Sequence, residues 1–252
     1  MVAAFFLTAF LYSGVGFGGG STYTALLVLS GLSLRLVPLV ALACNIIVVA
    51  VGASRFASVG AFSWRRFWPL ALLSIPAAWL GGSLMLPEGV FIAVLAIVLF
   101  LAGLVMIFGA PKREARGRDH PRAYDVASGA GLGFVAGVTG IGGGIYLSPL
   151  LHLRGWGSAR LIAGTCGMFI LVNSLAGLAG QSMKFGTSLF VTTLLSVWPL
   201  ALAVLLGGAL GSWVGATRLS SRWLRILSAI LILAVSVRLG LRVPAIWSQS
   251  GG

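Results

Sequence analysis

The sequence predicts an all-α integral membrane protein made of two homologous halves that are arranged as inverted repeats. Three observations lead to this prediction. The chain of 252 residues is 59% hydrophobic and only 8% charged, whereas soluble domains carry roughly 25% charged residues. A Gly-Gly-Gly triplet interrupts an apolar stretch twice, at Gly18–Gly20 and at Gly142–Gly144. Further matches recur in the same order in both halves.

These recurring matches divide the chain near its middle. The glycine triplets, the pair Cys44 and Cys166, and a WPLAL string at Trp68 and Trp198 recur at spacings of 124, 122 and 130 residues. A long polar run that begins at Pro111 separates the two copies. We therefore predict an N-terminal membrane repeat at 1–110, a charged cytoplasmic linker at 111–124 and a C-terminal membrane repeat at 125–252.

Each half contains four apolar segments. The second, third and fourth segments are about as long as the ~20 residues that a membrane-spanning helix needs. Each half is therefore predicted to contribute three transmembrane helices, and its first segment is the one that the glycines interrupt. The eight segments are Met1–Ser30, Leu36–Ala53, Trp68–Leu86 and Val90–Gly109, then Val126–Leu153, Leu161–Gly180, Ser188–Gly215 and Trp223–Leu241.

The interrupted segments are predicted to be broken helices, because each interior glycine costs about 1 kcal/mol relative to alanine. The limb after the break is Ser21–Leu29 in the first half and Ile145–Leu153 in the second. A limb of this length extends about 14 Å, half of a ~30 Å hydrocarbon core. Such a segment either turns back as a re-entrant hairpin or crosses the membrane as two stacked half-helices.

The charge distribution favours re-entrant hairpins. If both interrupted segments are re-entrant and the N-terminus is outside, 13 of the 17 Lys and Arg residues face the cytoplasm, against 11 if all eight segments cross. The re-entrant arrangement therefore agrees better with the excess of positive charge found in cytoplasmic loops. It leaves three crossings per half, so the halves insert in opposite orientations, as in many transporters.

Several function classes are disfavoured by the residues present. Cytoplasmic loops and anionic lipid explain the net charge of +13, so no nucleic-acid partner is predicted. The four acidic residues, Glu88, Glu114, Asp119 and Asp125, all lie outside the middle of apolar stretches, so none is placed to relay protons. No catalytic constellation, metal-type spacing or cofactor motif occurs, and we predict neither an enzyme nor a bound metal or cofactor. A passive anion channel and an accessory membrane protein stay open as alternatives.

The two breaks are the predicted substrate site. Each break frees backbone N–H groups at the start of the second limb, where the positive end of the helix dipole attracts an anion. The competing interpretation is that the glycines only permit close helix packing. The candidate residues are Gly19, Gly20, Ser21 and Thr22 in the first half and Gly143, Gly144, Ile145 and Tyr146 in the second.

A second group of candidates lies in the second apolar segment of each half. Cys44 and Asn45 in the first half correspond in position to Thr165 and Cys166 in the second. Asn45 is the strongest of these candidates, because a buried amide needs partners and donates two hydrogen bonds. A buried cysteine is more often a small apolar residue than a functional thiol.

The strings GFGGGSTYTALL, from Gly16 to Leu27, and GIGGGIYLSPLL, from Gly140 to Leu151, resemble the paired glycine-rich segments of the TauE/SafE sulfite exporter family. The second string has the proline of that pattern, whereas Ala25 replaces it in the first. The resemblance covers the whole chain in length and repeat architecture.

This resemblance implies a multi-pass transporter of the bacterial cytoplasmic (inner) membrane. The implied substrate is a small sulfur-containing anion such as sulfite, sulfoacetate or a related organosulfonate, and the implied direction is export. Some family members act in uptake, so uptake of an organosulfonate or another oxyanion is retained as an alternative, and a homodimer is compatible with the sequence.

Overall fold

The structure, a computed structural model, describes residues 1–32, 36–84, 122–183 and 187–218, with single positions between 100 and 104 and between 223 and 241. Within these ranges every regular element is a helix, which confirms the predicted all-α class. Apart from the single positions, the predicted segments Val90–Gly109 and Trp223–Leu241 and the linker as far as residue 121 lie outside the described residues. The helices are α1 Val2–Ser13, α2 Gly20–Leu29, α3 Val37–Ser58, α4 Trp64–Ala71, α5 Ser74–Ser83, α6 Arg122–Thr139, α7 Gly144–Leu153, α8 Ala159–Ser182, α9 Thr187–Ser196 and α10 Trp198–Thr217.

Three of these helices, α3, α8 and α10, are long and apolar enough to cross a membrane. They contain 22, 24 and 20 residues, which matches the length of a bilayer core. The helices α1 and α7 are also apolar but shorter. The chain is therefore an integral membrane protein, as its composition predicts.

Both interrupted segments are broken where the glycines lie. Helix α1 ends at Ser13 and α2 begins at Gly20, while α6 ends at Thr139 and α7 begins at Gly144. Each break contains glycines at equivalent positions with positive φ, Gly16 and Gly19 at 83° and 86° and Gly140 and Gly143 at 68° and 77°. Residues with a Cβ rarely adopt this conformation, so glycine is what allows the chain to turn there. Each second limb has ten residues and begins one residue earlier than predicted.

The third segment of each half differs from the prediction of one continuous helix. In the first half it is divided into α4 and α5, and in the second into α9 and α10. Pro76 lies in the first turn of α5 and Pro199 in the first turn of α10. Proline has no N–H to donate, and its ring collides with the carbonyl four residues earlier. A continuous helix is therefore interrupted, and a new helix begins just before the proline. The corresponding Pro69 lies inside α4, which makes the two halves unequal here.

Helix α6 begins before the predicted start of the C-terminal repeat and includes the last three residues of the predicted linker. This helix begins at Arg122, and Asp125 lies in its first turn. A carboxylate in the first turn stabilises a helix through the positive end of the dipole, which explains the earlier start.

Equivalent helices of the two halves have equivalent packing partners. At the centre α3 packs against α8. In the first half α1 contacts α10, and in the second half the equivalent helix α6 contacts α5. In the same way, α2 contacts α3 in the first half and α7 contacts α8 in the second. The first helix of each half thus finds its main partner in the other half.

Glycines allow the two helices to approach closely in both the α1–α10 pair and the α6–α5 pair. A Cβ at Gly211 would collide with the carbonyl oxygen of Phe10, and a Cβ at Gly81 with that of Phe134. Gly81 and Gly211 differ by 130 residues and Phe10 and Phe134 by 124, the same spacings that the sequence repeats show. Small residues that bring backbones together are typical of helix pairs in membranes.

Candidate functional site

Residues from both breaks line one cavity. The first half contributes Tyr12, Phe17 and the run Gly18–Ser21, and the second half contributes Ile141, Ile145 and Ile170. The cavity volume is about 10 Å³, and the empty space around it, which includes open solvent, is about 190 Å³. The structure therefore brings the predicted residues Gly19, Gly20, Ser21 and Ile145 together.

The starts of α2 and α7 direct free N–H groups towards the breaks. The N–H groups of Thr22 and Tyr23 donate to the carbonyl of Gly19, both at 3.0 Å. In α7 those of Tyr146 and Leu147 donate to the carbonyl of Gly143 at 3.1 and 3.2 Å. The groups before them have no acceptor within their helix, because the first N–H groups of any helix lack one. The available backbone donors are thus those of Gly20 and Ser21 and of Gly144 and Ile145, whereas the N–H groups of Thr22 and Tyr146 are engaged.

Hydroxyl groups lie beside both breaks. At the second break, the hydroxyl of the buried residue Ser174 lies 2.9 Å from the position that a Cβ at Gly142 would take. The Thr22 hydroxyl donates to the Tyr12 hydroxyl at 3.0 Å, and Tyr12 lines the cavity. Because Tyr12 accepts this bond, its own O–H stays a donor. Ser21 is buried at the cavity wall. The first break therefore supplies polar side chains to the cavity in addition to backbone N–H groups.

Asn45 of α3 contacts both breaks from behind. A Cβ at Gly18 would collide with its Oδ1 and one at Gly20 with its Nδ2, while one at Gly142 would lie 3.2 Å from Nδ2. The side chain is fully buried, and neither amide atom has a hydrogen-bond partner in the described part of the protein. A buried amide without partners is costly, so this position calls for a hydrogen-bonding ligand or water.

The other predicted residues lie in the packed surroundings of the breaks. A Cβ at Gly143 would contact Ala136 and Phe169, and one at Gly144 would collide with Ile170. Thr165 is fully buried, and its hydroxyl has no partner among the described residues. Tyr146 is buried in the same apolar cluster as Cys166.

The two cysteines do not lie in one cluster. Cys166 packs with Ile145 and Ile170, whereas Cys44 packs with Tyr23 and Leu27. In the part of the chain that the structure describes, no group of three His, Cys, Asp or Glu residues is arranged to hold a metal ion.

Sequence reasoning missed four cavity residues, Tyr12, Phe17, Ile141 and Ile170. Phe17 and Ile141 are adjacent to the triplets and occupy equivalent positions, so the repeat itself could have indicated them. Tyr12 is the second-last residue of α1, and its hydroxyl in a mostly apolar helix was a usable signal. Ile170 has no such signal, because it reaches the cavity only through the packing of α8 on the second break.

Charged residues join the two ends of the second broken segment. Arg154, directly after α7, forms an ion pair of 2.5 Å with Asp125, in the first turn of α6. Its guanidinium also lies 4.2 Å from the centre of the Tyr124 ring. Nearby in sequence, the Trp156 carbonyl accepts a hydrogen bond of 3.0 Å from Arg66 of α4. The end of α7 is therefore attached to α6 and to the first half.

Comparison with known proteins identifies the family. The family model described as sulfite exporter TauE/SafE matches residues 1–239. The chain is also 36% identical over 243 residues to the probable membrane transporter protein y4hK of Sinorhizobium fredii, covering 95% of this chain and 96% of that protein. No solved structure matches significantly. The sequence motifs, the helical membrane fold and these matches together show that the chain belongs to the TauE/SafE sulfite exporter family of membrane transporters.

Proposed function

We propose that this protein is a secondary transporter that exports small sulfur-containing anions across the bacterial cytoplasmic membrane. The observation that carries the proposal is the cavity that both glycine breaks line together. Broken helices that meet at one cavity are the usual substrate site of transporters built from repeats. Membership of the family supports the class of substrate.

In this proposal the anion binds at the start of α2. The N–H groups of Gly20 and Ser21 and the hydroxyls of Ser21 and Tyr12 donate to its oxygens, and the helix dipole adds to the attraction. The start of α7 approaches from the other half with the N–H groups of Gly144 and Ile145. Gly19 and Gly143 allow the turns that expose these groups, and Asn45 supports both breaks.

The remaining candidates take supporting roles in the proposal. Thr22 orients the Tyr12 hydroxyl, and Tyr146 packs behind α7. Cys44, Thr165 and Cys166 belong to the layer formed by α3 and α8, on which the breaks rest.

We propose further that both broken segments are re-entrant. If α6 and α7 ran on in one direction, the 29 residues between Asp125 and Arg154 would separate them by about 40 Å at 1.5 Å per residue. Their ion pair instead supports a hairpin that returns to its starting side. In the first half, the Phe5 and Tyr23 rings stack at 4.8 Å, which supports the same path.

Labelling of single cysteines tests this topology. Tyr124→Cys and Leu153→Cys, at the two ends of the second hairpin, are expected to react with a membrane-impermeant maleimide from the cytoplasmic side only. Val2→Cys and Ser30→Cys, at the ends of the first hairpin, are expected to react from the outside only. All four positions are exposed, while the native Cys44 and Cys166 are buried and provide the background. Labelling of the two ends of one segment from opposite sides would exclude the hairpin for that half.

Transport is proposed to follow from rocking of the two halves around the bound anion. Asp125 is the acidic residue within the described ranges, and it is paired with Arg154 rather than placed at the cavity. The membrane potential is therefore the proposed drive, worth about 2.3 kcal/mol per charge per 100 mV. With the inside negative, this potential expels anions.

Flux into proteoliposomes tests the proposal directly. We expect saturable flux of sulfite or a sulfonate, driven by an imposed potential, and little flux of sulfate or chloride. Tyr12→Phe removes one donor and is expected to raise KM about tenfold, since a lost hydrogen bond to a charged group costs about 1.5 kcal/mol. Unsaturable flux of chloride would indicate a passive channel, and the absence of any flux would remove the transporter assignment.

A further inference from the structure

We infer that Ser174 of α8 and Asn45 of α3 together bind one oxygen of the transported anion at the second break. The inference rests on the proposed function and adds a binding residue, Ser174, on the second-half side of the site. It follows from two buried polar side chains that meet at Gly142 and have no hydrogen-bond partner among the described residues.

Gly142 marks the place where the two side chains meet. A Cβ at this glycine would lie 2.9 Å from the Oγ of Ser174 and 3.2 Å from the Nδ2 of Asn45. The two polar atoms are therefore at most about 6 Å apart, which is twice the ~3 Å length of a hydrogen bond. One oxygen between them can accept a hydrogen bond from both.

Both side chains have donors to spare. Ser174 and Asn45 are completely buried, and within the described ranges their polar atoms bond neither to each other nor to another group. Other buried serines donate to a carbonyl of the preceding turn, as Ser212 does to that of Ala209. Such a bond is the usual way for a serine in an apolar helix to satisfy its hydroxyl. A buried donor without a partner is destabilising, so the pair at Gly142 calls for an added acceptor.

Helix periodicity directs Ser174 towards the cavity. It lies four residues after Ile170, on the same face of α8, and Ile170 lines the cavity. In α3, Asn45 and Val49 have the same spacing, and both lie beside Gly18, the first glycine of the other triplet. The polar residue comes first in the α3 pair and last in the α8 pair. Each half therefore supplies one polar side chain to the same place.

The Asn45 amide connects this place to the proposed anion position at the start of α2. A Cβ at Gly20 would collide with the same Nδ2 that lies beside Gly142. The amide thus lies between the N–H groups that begin α2 and the hydroxyl of Ser174. An anion that accepts from the N–H of Gly20 has a second oxygen within reach of this pair.

The size of the cavity agrees with a site for a single oxygen. Its volume is about 10 Å³, close to the space that one water molecule needs. The rest of the anion extends into the larger open space around the cavity. A buried water presents the same kind of acceptor as an anion oxygen, and the two are distinguished by whether loss of the Ser174 hydroxyl weakens the binding of the anion.

Ser174→Ala in proteoliposomes makes this distinction. We expect the KM for sulfite and for methanesulfonate to rise about tenfold, the usual effect of losing one hydrogen bond to a charged group. The concentration of sulfite that stabilises the protein against heat in detergent should rise by the same factor. Without an anion, the variant should be at least as stable as the wild type, because it loses a buried hydroxyl that had no partner.

Two further variants complete the test. Ser212→Ala is the matched control, since Ser212 is equally buried but its hydroxyl is bonded within α10, and its KM should equal that of the wild type. Asn45→Ala should also raise KM. The double variant Asn45→Ala/Ser174→Ala should raise KM by less than the product of the two single effects, because both groups bind the same oxygen.

Three results would contradict the inference in different ways. A KM for both anions that is unchanged in Ser174→Ala would show that the pair holds at most a water, and the proposed function would remain intact. Single effects that multiply in the double variant would show that the two side chains bind different oxygens. The absence of saturable flux for every anion, with protein that is monodisperse in detergent, would overturn the inference together with the proposed function.

Discussion

Gly20→Leu and Gly144→Leu are each expected to reduce anion flux about 100-fold, because a displacement of about 1 Å at a binding site can cost this much. A side chain at Gly20 would collide with the Nδ2 of Asn45. One at Gly144 would collide with Ile170 and would lie 2.9 Å from the Cys166 carbonyl. Both helices would have to move away from the cavity, and the N–H groups at their starts would no longer converge on it.

Neither substitution requires a forbidden backbone conformation, since neither glycine has a positive φ. We therefore expect the variants to remain folded, which gel filtration in detergent would check. Gly131→Leu is the matched control, because a Cβ at this glycine of α6 meets no atom within 4 Å. Flux that is unchanged in both Gly20→Leu and Gly144→Leu would show that the glycines serve only helix packing.

Asp125→Ala is expected to destabilise the protein by about 3 kcal/mol, the usual cost of removing one partner of a buried ion pair. Asp125 and Arg154 are both largely buried, with side-chain exposures of 8% and 16%. Without the carboxylate, the arginine keeps its charge, and its cation–π contact with Tyr124 remains. Thermal unfolding in detergent would measure the loss.

The double variant Asp125→Ala/Arg154→Ala is the control for this pair. It removes the unpaired charge and is expected to recover more than half of the stability that Asp125→Ala loses. Equal destabilisation by the single and double variants would show that the two charges are not coupled. The re-entrant path of the second hairpin would then lose its main support.

Local chemistry made the breaks predictable from the sequence. Three consecutive glycines interrupt a helix wherever they occur, so the ends of α1 and the starts of α2 and α7 are determined by nearby residues. Asn45 was predictable for a similar reason, because an amide within an apolar helix needs a partner. The restart at Pro76 was equally local but was missed, since the apolar composition of the segment suggested one continuous helix.

Other features depend on contacts between distant parts of the chain. Nothing near Ile170 indicates that it reaches the second break, and nothing near Tyr12 indicates that Thr22 donates to it. The cavity itself appears only when the two halves are placed against each other, because each half contributes only part of its lining. A repeat in the sequence predicts which positions are equivalent. It does not predict which of two equivalent residues takes part in the site.

Packing between helices of different halves determines when the protein can finish folding during its synthesis. Helix α1 is made first, but its main partner is α10, about 190 residues later in the chain. The glycines of α10 that receive it are spaced every four residues, at Gly207, Gly211 and Gly215, against the carbonyls of Phe6, Phe10 and Gly14. The first broken segment, α1 and α2, therefore lacks its main packing partner until α10 has left the ribosome. Assembly of the N-terminal repeat is thus completed late in translation, and a nascent chain stalled before α10 would present α1 to lipid or to a membrane chaperone.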